Sequence, residues 1–446
     1  NAVLEVEKNE TKTNINKSDK EETKLLTFNS CKDLQSTLKT HFEKAEKENK
    51  IMYKNLAMPS LMRQNSGAEI MEESFAMDSA VESGGGGGAS EKFSETNVQE
   101  FGVDEADIIK NDGKYIYMIR QNSVRIIATD NGKLTPVANF EVKKEGFYPR
   151  EMYVDGDILT LIGNYSEEIE PEIEVDLEPN IIDEVSDLAA EVISDIEPAM
   201  RKMAMGIAPG GYYPTYNRYK QMTTSVTFDV SNRAKPTQTR MVSVEGNYQS
   251  SRKIDGVVYL VTNKYQDNFW GQPRPIEPFP MPVFRDTAFE SEKIVGECGT
   301  IDYMPNFETP NYLIVAAIDT NDVNEKVGRK MILGSGNQVY ASAKNLYVTK
   351  NKYWSGWGQN NTPTTEIYKF SLNGTEVQFE EKGEVIGTVL NQFSMSEDAD
   401  ENFRIATQEN KKGARMTILN KKLVRTGFVK NIAPGENIKS VRFMRD

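Results

Sequence analysis

Asp112-Gly113-Lys114-Tyr115-Ile116-Tyr117-Met118-Ile119 sets the pattern from which the fold is read. An Asp-Gly pair suits a tight turn that needs positive φ, and the aromatic and β-branched run after it suits a strand buried on both faces. Moving outward, this first unit continues through Val124–Ala128 and Pro136–Val142. A second copy reads Asp155-Gly156-Asp157, Ile158–Ile162, Ser225–Val230 and Arg240–Val244. The third reads Asp255-Gly256, Val257–Thr262, Leu313–Asp319 and Lys330–Leu333. A fourth reads Lys344-Asn345, Leu346–Thr349, Glu366–Phe370 and Val377–Ile386, and a degenerate fifth reads Phe403–Gln408, Arg415–Leu419 and Leu423–Val429. With insertions set aside, each unit approaches the roughly 40–50 residues of a propeller blade. A β-sandwich accounts for the strands but not for their phased recurrence. The expected fold is therefore all-β, a β-propeller with about five legible blades whose ring is not necessarily complete.

Around this core the chain divides by texture. Residues 1–23 are rich in Lys, Glu, Asn and Thr and read as a disordered tether. A helical segment follows over 24–56, where Ser30 is placed to cap and Asp33 to complete a weak capping box. Leu34, Leu38, Phe42 and Ala45 form its apolar stripe, with His41 beside it. Residues 57–93 lose periodicity and run into Gly84–Gly88, a Gly-rich linker. The propeller then occupies 94–446, with insertions at about 166–221, 264–308 and 351–363. Residues 1–23 and 57–93 are expected to be extended or disordered when the protein is alone.

Composition narrows the function. The formal net charge of −14 argues against a nucleic-acid or anionic-membrane binder, which needs a basic footprint. No apolar run approaches the roughly 18 residues of a membrane span. The single histidine, His41, lies outside the blades, so no Ser-His or Cys-His pair can form within them. Walker and Rossmann glycine motifs, Cys-x-x-Cys and zinc-type Cys/His clusters are all missing from the sequence. Cys31 and Cys298 could pair, but the plainer expectation is two small buried or idle thiols. The chain starts at Asn1 with no hydrophobic leader, as either a cleaved export signal or a trimmed start would leave it.

Between Phe93 and the last residue, a series of motifs resembles one family. It opens with Thr96-Asn97-Val98-Gln99-Glu100-Phe101-Gly102-Val103-Asp104-Glu105-Ala106-Asp107-Ile108-Ile109-Lys110. Ser251-Arg252, Val339-Tyr340-Ala341-Ser342, Leu390-Asn391-Gln392-Phe393-Ser394-Met395 and Ala433-Pro434-Gly435-Glu436 follow in order. The set is similar to that of prokaryotic secreted proteins carrying a C-terminal β-propeller domain distantly related to WD40 repeats. The resemblance implies export and a propeller, and it carries over no catalytic residue. Family members run on past the motif that here reads Arg442-Phe443-Met444, so Ser440–Met444 is expected to begin a further blade.

Three groups of residues are candidate sites. Asp104, Glu105 and Asp107, with Asp112 nearby, offer the oxygen cluster a Ca²⁺ ion wants, but they lack a calcium-loop spacing, and polar capping of a blade is the competing reading. No other cofactor is expected. The second unit's insertion, at about 166–221, places thirteen acids between Glu167 and Glu197 with no Lys or Arg. Its alternating stretch (Glu168, Glu170, Glu172, Glu174 and Asp176 between Ile169, Ile173, Val175 and Leu177) suits either a solvated face or docking to a basic partner. Trp270, Trp354 and Trp357 stand in Gly/Asn/Gln/Pro-rich insertions, where they can stack on a ligand or pin a loop.

The expected function is an exported, non-catalytic β-propeller scaffold for protein–protein interaction or assembly at the cell surface or matrix. The alternative is a carboxylate-based glycosidase or a carbohydrate-binding propeller. A protein partner or self-association is expected, including a second polypeptide supplying further blades. The basic stretch from Arg404 to Asp446, with eleven Lys/Arg against three acids, would steer head-to-tail contact with the acidic insertion and could extend into a filament.

Overall fold

The structure is a computed structural model that describes residues 26–41, 43, 98–169, 218–265, 281–289, 291–294, 296, 298–303, 311–352 and 362–444. Two compact units divide the chain, Ser166–Gln221 and everything else. In the small unit the described residues are 166–169 and 218–221, the ends of two strands, where the Ser166 hydroxyl donates to Gln221 Oε1 at 3.0 Å. The acidic positions Glu170, Glu172, Glu174 and Asp176 fall outside the described residues, as do Trp270, Trp354 and Trp357. Glu168 is described and lies exposed on the strand Ile158–Ile169.

The large unit is a row of five antiparallel blades in chain order. The first blade runs Ile109–Asn111, Tyr115–Arg120, Ser123–Asp130, Lys133–Glu141. The second starts at Tyr148–Asp155 and proceeds through Ile158–Ile169 and Arg218–Asp229 to Thr237–Glu245. In the third the order is Asn247–Ile254, Val257–Lys264, Tyr312–Asp319, Gly328–Leu333. The fourth is Gln338–Ala341, Asn345–Lys352, Thr364–Asn373, Glu376–Ile386. In the fifth, Phe403–Gln408, Ala414–Leu419 and Arg425–Ile432 follow an inner edge split into Thr388–Val389 and Met395–Glu397. The expected all-β propeller class holds, and the expected strands are the second to fourth of each blade. Asp255 and Gly256 both adopt positive φ (47° and 83°), as the two-residue turn between the first two strands of the third blade requires.

Four buried apolar clusters fill the junctions between consecutive blades. Tyr117, Ile126, Leu161 and Val226 join the first blade to the second. Tyr153, Val244, Leu260 and Ile314 join the second to the third. Tyr259, Val315, Leu346 and Phe370 serve the third and fourth, and Tyr347, Ile367, Phe403 and Ile405 the fourth and fifth. Among the described residues, no such cluster links the fifth blade back to the first. The Ser440–Met444 stretch joins no sheet, contrary to the expectation that it starts a blade. Instead the tail lies along the fifth blade, with the Ile438 amide donating to Gln408 Oε1 at 2.8 Å and the Arg404 guanidinium 5.2 Å from the Phe443 ring.

The second and third blades carry additions that the strand pattern did not announce. Val283–Asp286 and Ser291–Ile294, a hairpin from within the third blade's insertion, extend the outer edge of the second blade. Arg240 clamps the hairpin: its Nε and Nη2 donate to Asp286 Oδ1 and Oδ2 at 3.0 and 2.7 Å, and Nη2 also reaches the Glu325 carbonyl. Asp302–Tyr303 runs parallel to Gly328–Leu333, and Leu26–Thr27 adds antiparallel to it.

The N-terminal segment is part of the same core. Phe28, Leu34 and Leu38 bury completely in the cluster between the second and third blades, and Phe28 stacks on Tyr303 at 4.0 Å. The helix covers 31–41, capped by Ser30 Oγ, which accepts from the Asp33 amide at 3.2 Å. Asp33 reaches back to the Asn29 amide rather than to that of Ser30, so the capping box is displaced by one residue. Phe42 and Ala45 lie outside the described side chains. Cys31 and Cys298 form a disulfide across 267 residues of sequence, overturning the reading as idle thiols. Their pairing follows from the docking of Phe28 and Leu34, which no local pattern reveals.

Candidate functional site

The richest gathering of polar groups lies along the inner edges of the blades. Residues 98–107, the opening of the motif series, run past those edges in reverse blade order. Gln99 Nε2 donates to the Gln392 and Met395 carbonyls of the fifth blade at 3.0 and 2.9 Å. Tyr340 of the fourth blade donates to Glu100 Oε1 at 2.8 Å. Asp104 makes an antiparallel bridge to Lys253 of the third blade and Asp107 one to Met152 of the second. Ile109–Asn111 then becomes the inner strand of the first blade. The segment forms an inner hoop that touches every blade.

Arg252 and Gln392 form the hub of this rim. The break in the fifth blade's inner edge, with its short 3₁₀ turn Gln392–Ser394, carries the Gln392 side chain inward. Arg252 Nη2 donates to Gln392 Oε1 at 2.6 Å and Nη1 to the Ser251 carbonyl, also at 2.6 Å. Gln392 Nε2 in turn donates to both Glu105 oxygens at 3.3 and 3.2 Å, with Arg252 Nε 4.0 Å from Glu105. Beside the hub, Tyr248 donates to Glu151, and the Tyr153 and Ser251 hydroxyls share a bond at 2.8 Å. Burial pushes the Glu151 carboxyl above its usual range, with Arg252 and Arg150 pulling down and Asp107 adding to the rise. Tyr153 is also raised, by burial.

The three carboxylates singled out as a cation site do not meet. Asp104 accepts from Lys110 Nζ at 2.8 Å, Glu105 accepts from Gln392, and Asp107 accepts from the neighbouring Ile108 amide at 2.7 Å. Among the described residues, no three His, Cys, Asp or Glu side chains gather to hold a metal ion. The rim partners Glu100, Glu151, Arg252 and Gln392 escape local reading because they come together from four parts of the chain. Arg252, Gln392 and Glu100 were signalled by the motifs Ser251-Arg252, Leu390–Met395 and Thr96–Lys110, and Glu151 by no motif at all.

Asp112 belongs to a second network, at the junction of the first two blades. It accepts from the Lys114 and Tyr115 amides at 3.0 and 2.7 Å and from the Tyr117 hydroxyl at 2.8 Å. Arg233 lies 5.4 Å over the Tyr115 ring, donates to Tyr117 and pairs with Asp157. Burial alone would raise Asp112, but these donors hold it below its usual range, and burial pushes Tyr117 up to about 12. The turn acid of the repeat is thus a blade lock, satisfied within the fold.

Five stacked antiparallel blades with a chain-built inner hoop define a β-propeller protein. The chain belongs to the family described as Beta propeller domain, which it matches over residues 93–446. No curated protein matches the chain.

Proposed function

We propose that this propeller is an exported, non-catalytic scaffold for protein–protein interaction or assembly at the cell surface or matrix. The observation that carries the reading is the state of the inner rim, where the chain's own hoop engages the converging charges. Glu105 accepts from Gln392, Asp104 from Lys110 and Glu100 from Tyr340, so these groups serve to hold blades together. The Cys31–Cys298 disulfide supports export, because such bonds persist in oxidising compartments.

The second reading is a carboxylate-based glycosidase, favoured by the raised Glu151 beside the Arg252–Glu105 hub. One assay separates the two. Purified protein incubated with a panel of polysaccharides and aryl glycosides should release no sugar. Turnover that disappears in Glu105→Gln or Glu151→Gln would overturn the scaffold reading. Export is tested by fractionating producing cells and alkylating free thiols, and a protein found in the cytoplasm with both cysteines alkylated would remove that part of the reading.

A further inference from the structure

The five blades finish their outer edges in different ways. The second blade's Thr237–Glu245 is covered by Val283–Asp286, and the third blade's Gly328–Leu333 is flanked by Asp302–Tyr303, onto which Leu26–Thr27 adds. Pro136 interrupts the first blade's outer strand, and the fourth blade's carries Glu376, Glu380, Glu381 and Glu384. Covers, prolines and repeated like charges all discourage further strand pairing. Among the described residues the fifth blade's Arg425–Ile432 has no cover and no proline, its charges are the two cations Arg425 and Lys430, and every residue of it except Gly427 is exposed. Phe428 and Val429 are each 40% exposed on a terminal strand that, among the described residues, pairs with Ala414–Leu419 alone.

We propose that this edge accepts an added strand from a second copy of the chain, and that the added strand is the acidic run Glu172–Glu178. The inference rests on the scaffold reading and names its partner. The edge has two unlike faces. Phe428 sits between Arg415 and Arg425, each guanidinium 5.0 Å from its ring, while Val429 pairs with Met416 on the other side. Glu172-Ile173-Glu174-Val175-Asp176-Leu177-Glu178 alternates acid with aliphatic, so in extended form it sets four carboxylates on one face and three apolar side chains on the other. Pro171 and Pro179 bound the run. Arg415 is buried and already paired with Glu409, so the incoming acids meet the exposed Arg425 and Lys430 while the aliphatic side chains meet Val429.

The usable edge is Arg425–Lys430, because Asn431 turns to a φ of 56°. Six residues extend about 20 Å, a match for the seven of the donor. Strand addition already operates twice in this molecule, at Leu26–Thr27 and at Val283–Asp286. Donor and acceptor are different surfaces, so the contact is head-to-tail and builds a ring or an open filament rather than a two-fold dimer.

Sedimentation velocity of the full chain at low salt should show an average mass that rises with concentration across the micromolar range and falls back to monomer at high salt. The acceptor variant Arg425→Glu/Lys430→Glu and the donor variant Glu172→Lys/Glu174→Lys/Asp176→Lys should each remain monomeric, with the circular dichroism of the parent. Mixing the two variants should restore association, because each then meets a complementary partner. A labelled peptide of residues 172–178 should bind the parent and lose at least tenfold in affinity for the acceptor variant. A parent that stays monomeric at low salt overturns the proposal, and so does an acceptor variant that assembles like the parent. Failure of two folded variants to rescue one another overturns it as well. None of these results bears on the scaffold reading, which falls only on turnover by the purified chain.

Discussion

The junction of the second and third blades and the outer half of the fifth blade are built from the same four-stranded unit and treated in opposite ways. The junction is tied by the Arg240–Asp286 clamp, a disulfide, a donated hairpin and the N-terminal strand and helix. Among the described residues, the fifth blade ends in an uncovered strand with Phe428, Val429 and Ile432 exposed. The blade repeat therefore sets local shape only. What becomes of an edge is decided by insertions and arms reaching it from elsewhere in the chain, and an edge left bare is left available.

The largest loss comes from the clamp. Arg240→Ala strands the buried Asp286 charge and should cost about 3–5 kcal/mol by urea denaturation; a loss below 1 kcal/mol would show that the hairpin contributes little to the junction. Replacing both cysteines with serine should cost about 2–4 kcal/mol, because the tie closes a long loop in the unfolded chain. The same change should also speed exchange of the amides of 31–41. Gly328→Ala brings a Cβ into the Thr375 carbonyl, where the third blade meets the fourth, and should cost about 1–3 kcal/mol.

The fourth blade supplies an intermediate case through pH. Burial opposes ionisation of Glu366, yet Lys382, Tyr368 and Lys352 hold it below its usual 4.5. A depressed carboxylate contributes stability that is complete above pH 4.5 and lost as pH falls through the lower folded value. The deficit of Glu366→Gln relative to the parent should thus be greatest at neutral pH and shrink in acid, and a constant deficit would assign its effect to packing instead. The smallest effect belongs to the bare edge. Phe428→Ser removes only surface stacking on Arg415 and Arg425 and should cost about 0.5–1 kcal/mol in thermal melts. A larger loss would mean the edge is already engaged in the isolated protein.

How far the residues alone disclose this architecture depends on where a strand sits. The second to fourth strands of each blade show because they are long and apolar, as in Val257–Lys264, buried at every position. Inner strands such as Asn247–Ile254 bury Ser251, Arg252 and Lys253, so they look like polar connections. Cys31 and Cys298 could be counted but not paired, since what joins them is the burial of Phe28 and Leu34 in a distant cluster. The rim was visible only as unexplained polarity in motifs, because Glu105 and Gln392 meet across 287 residues. Asp104, Glu105 and Asp107 are close in sequence, but single bridges to Lys253 and Met152 pin Asp104 and Asp107 to different blades, and the three side chains find different partners.

The inner hoop also imposes an order in time. Gln99 and Glu100 emerge from the ribosome early, yet their partners Gln392, Met395 and Tyr340 follow 240 to 296 residues later. The N-terminal motif must therefore wait, unpaired, through the synthesis of four blades. Its seating is a late event of high contact order, and single substitutions at Gln99 or Gln392 should slow refolding more than they speed unfolding only if the hoop is set in the transition state. A chain stalled before Gln392 holds every earlier blade and lacks the residue on which its own beginning comes to rest.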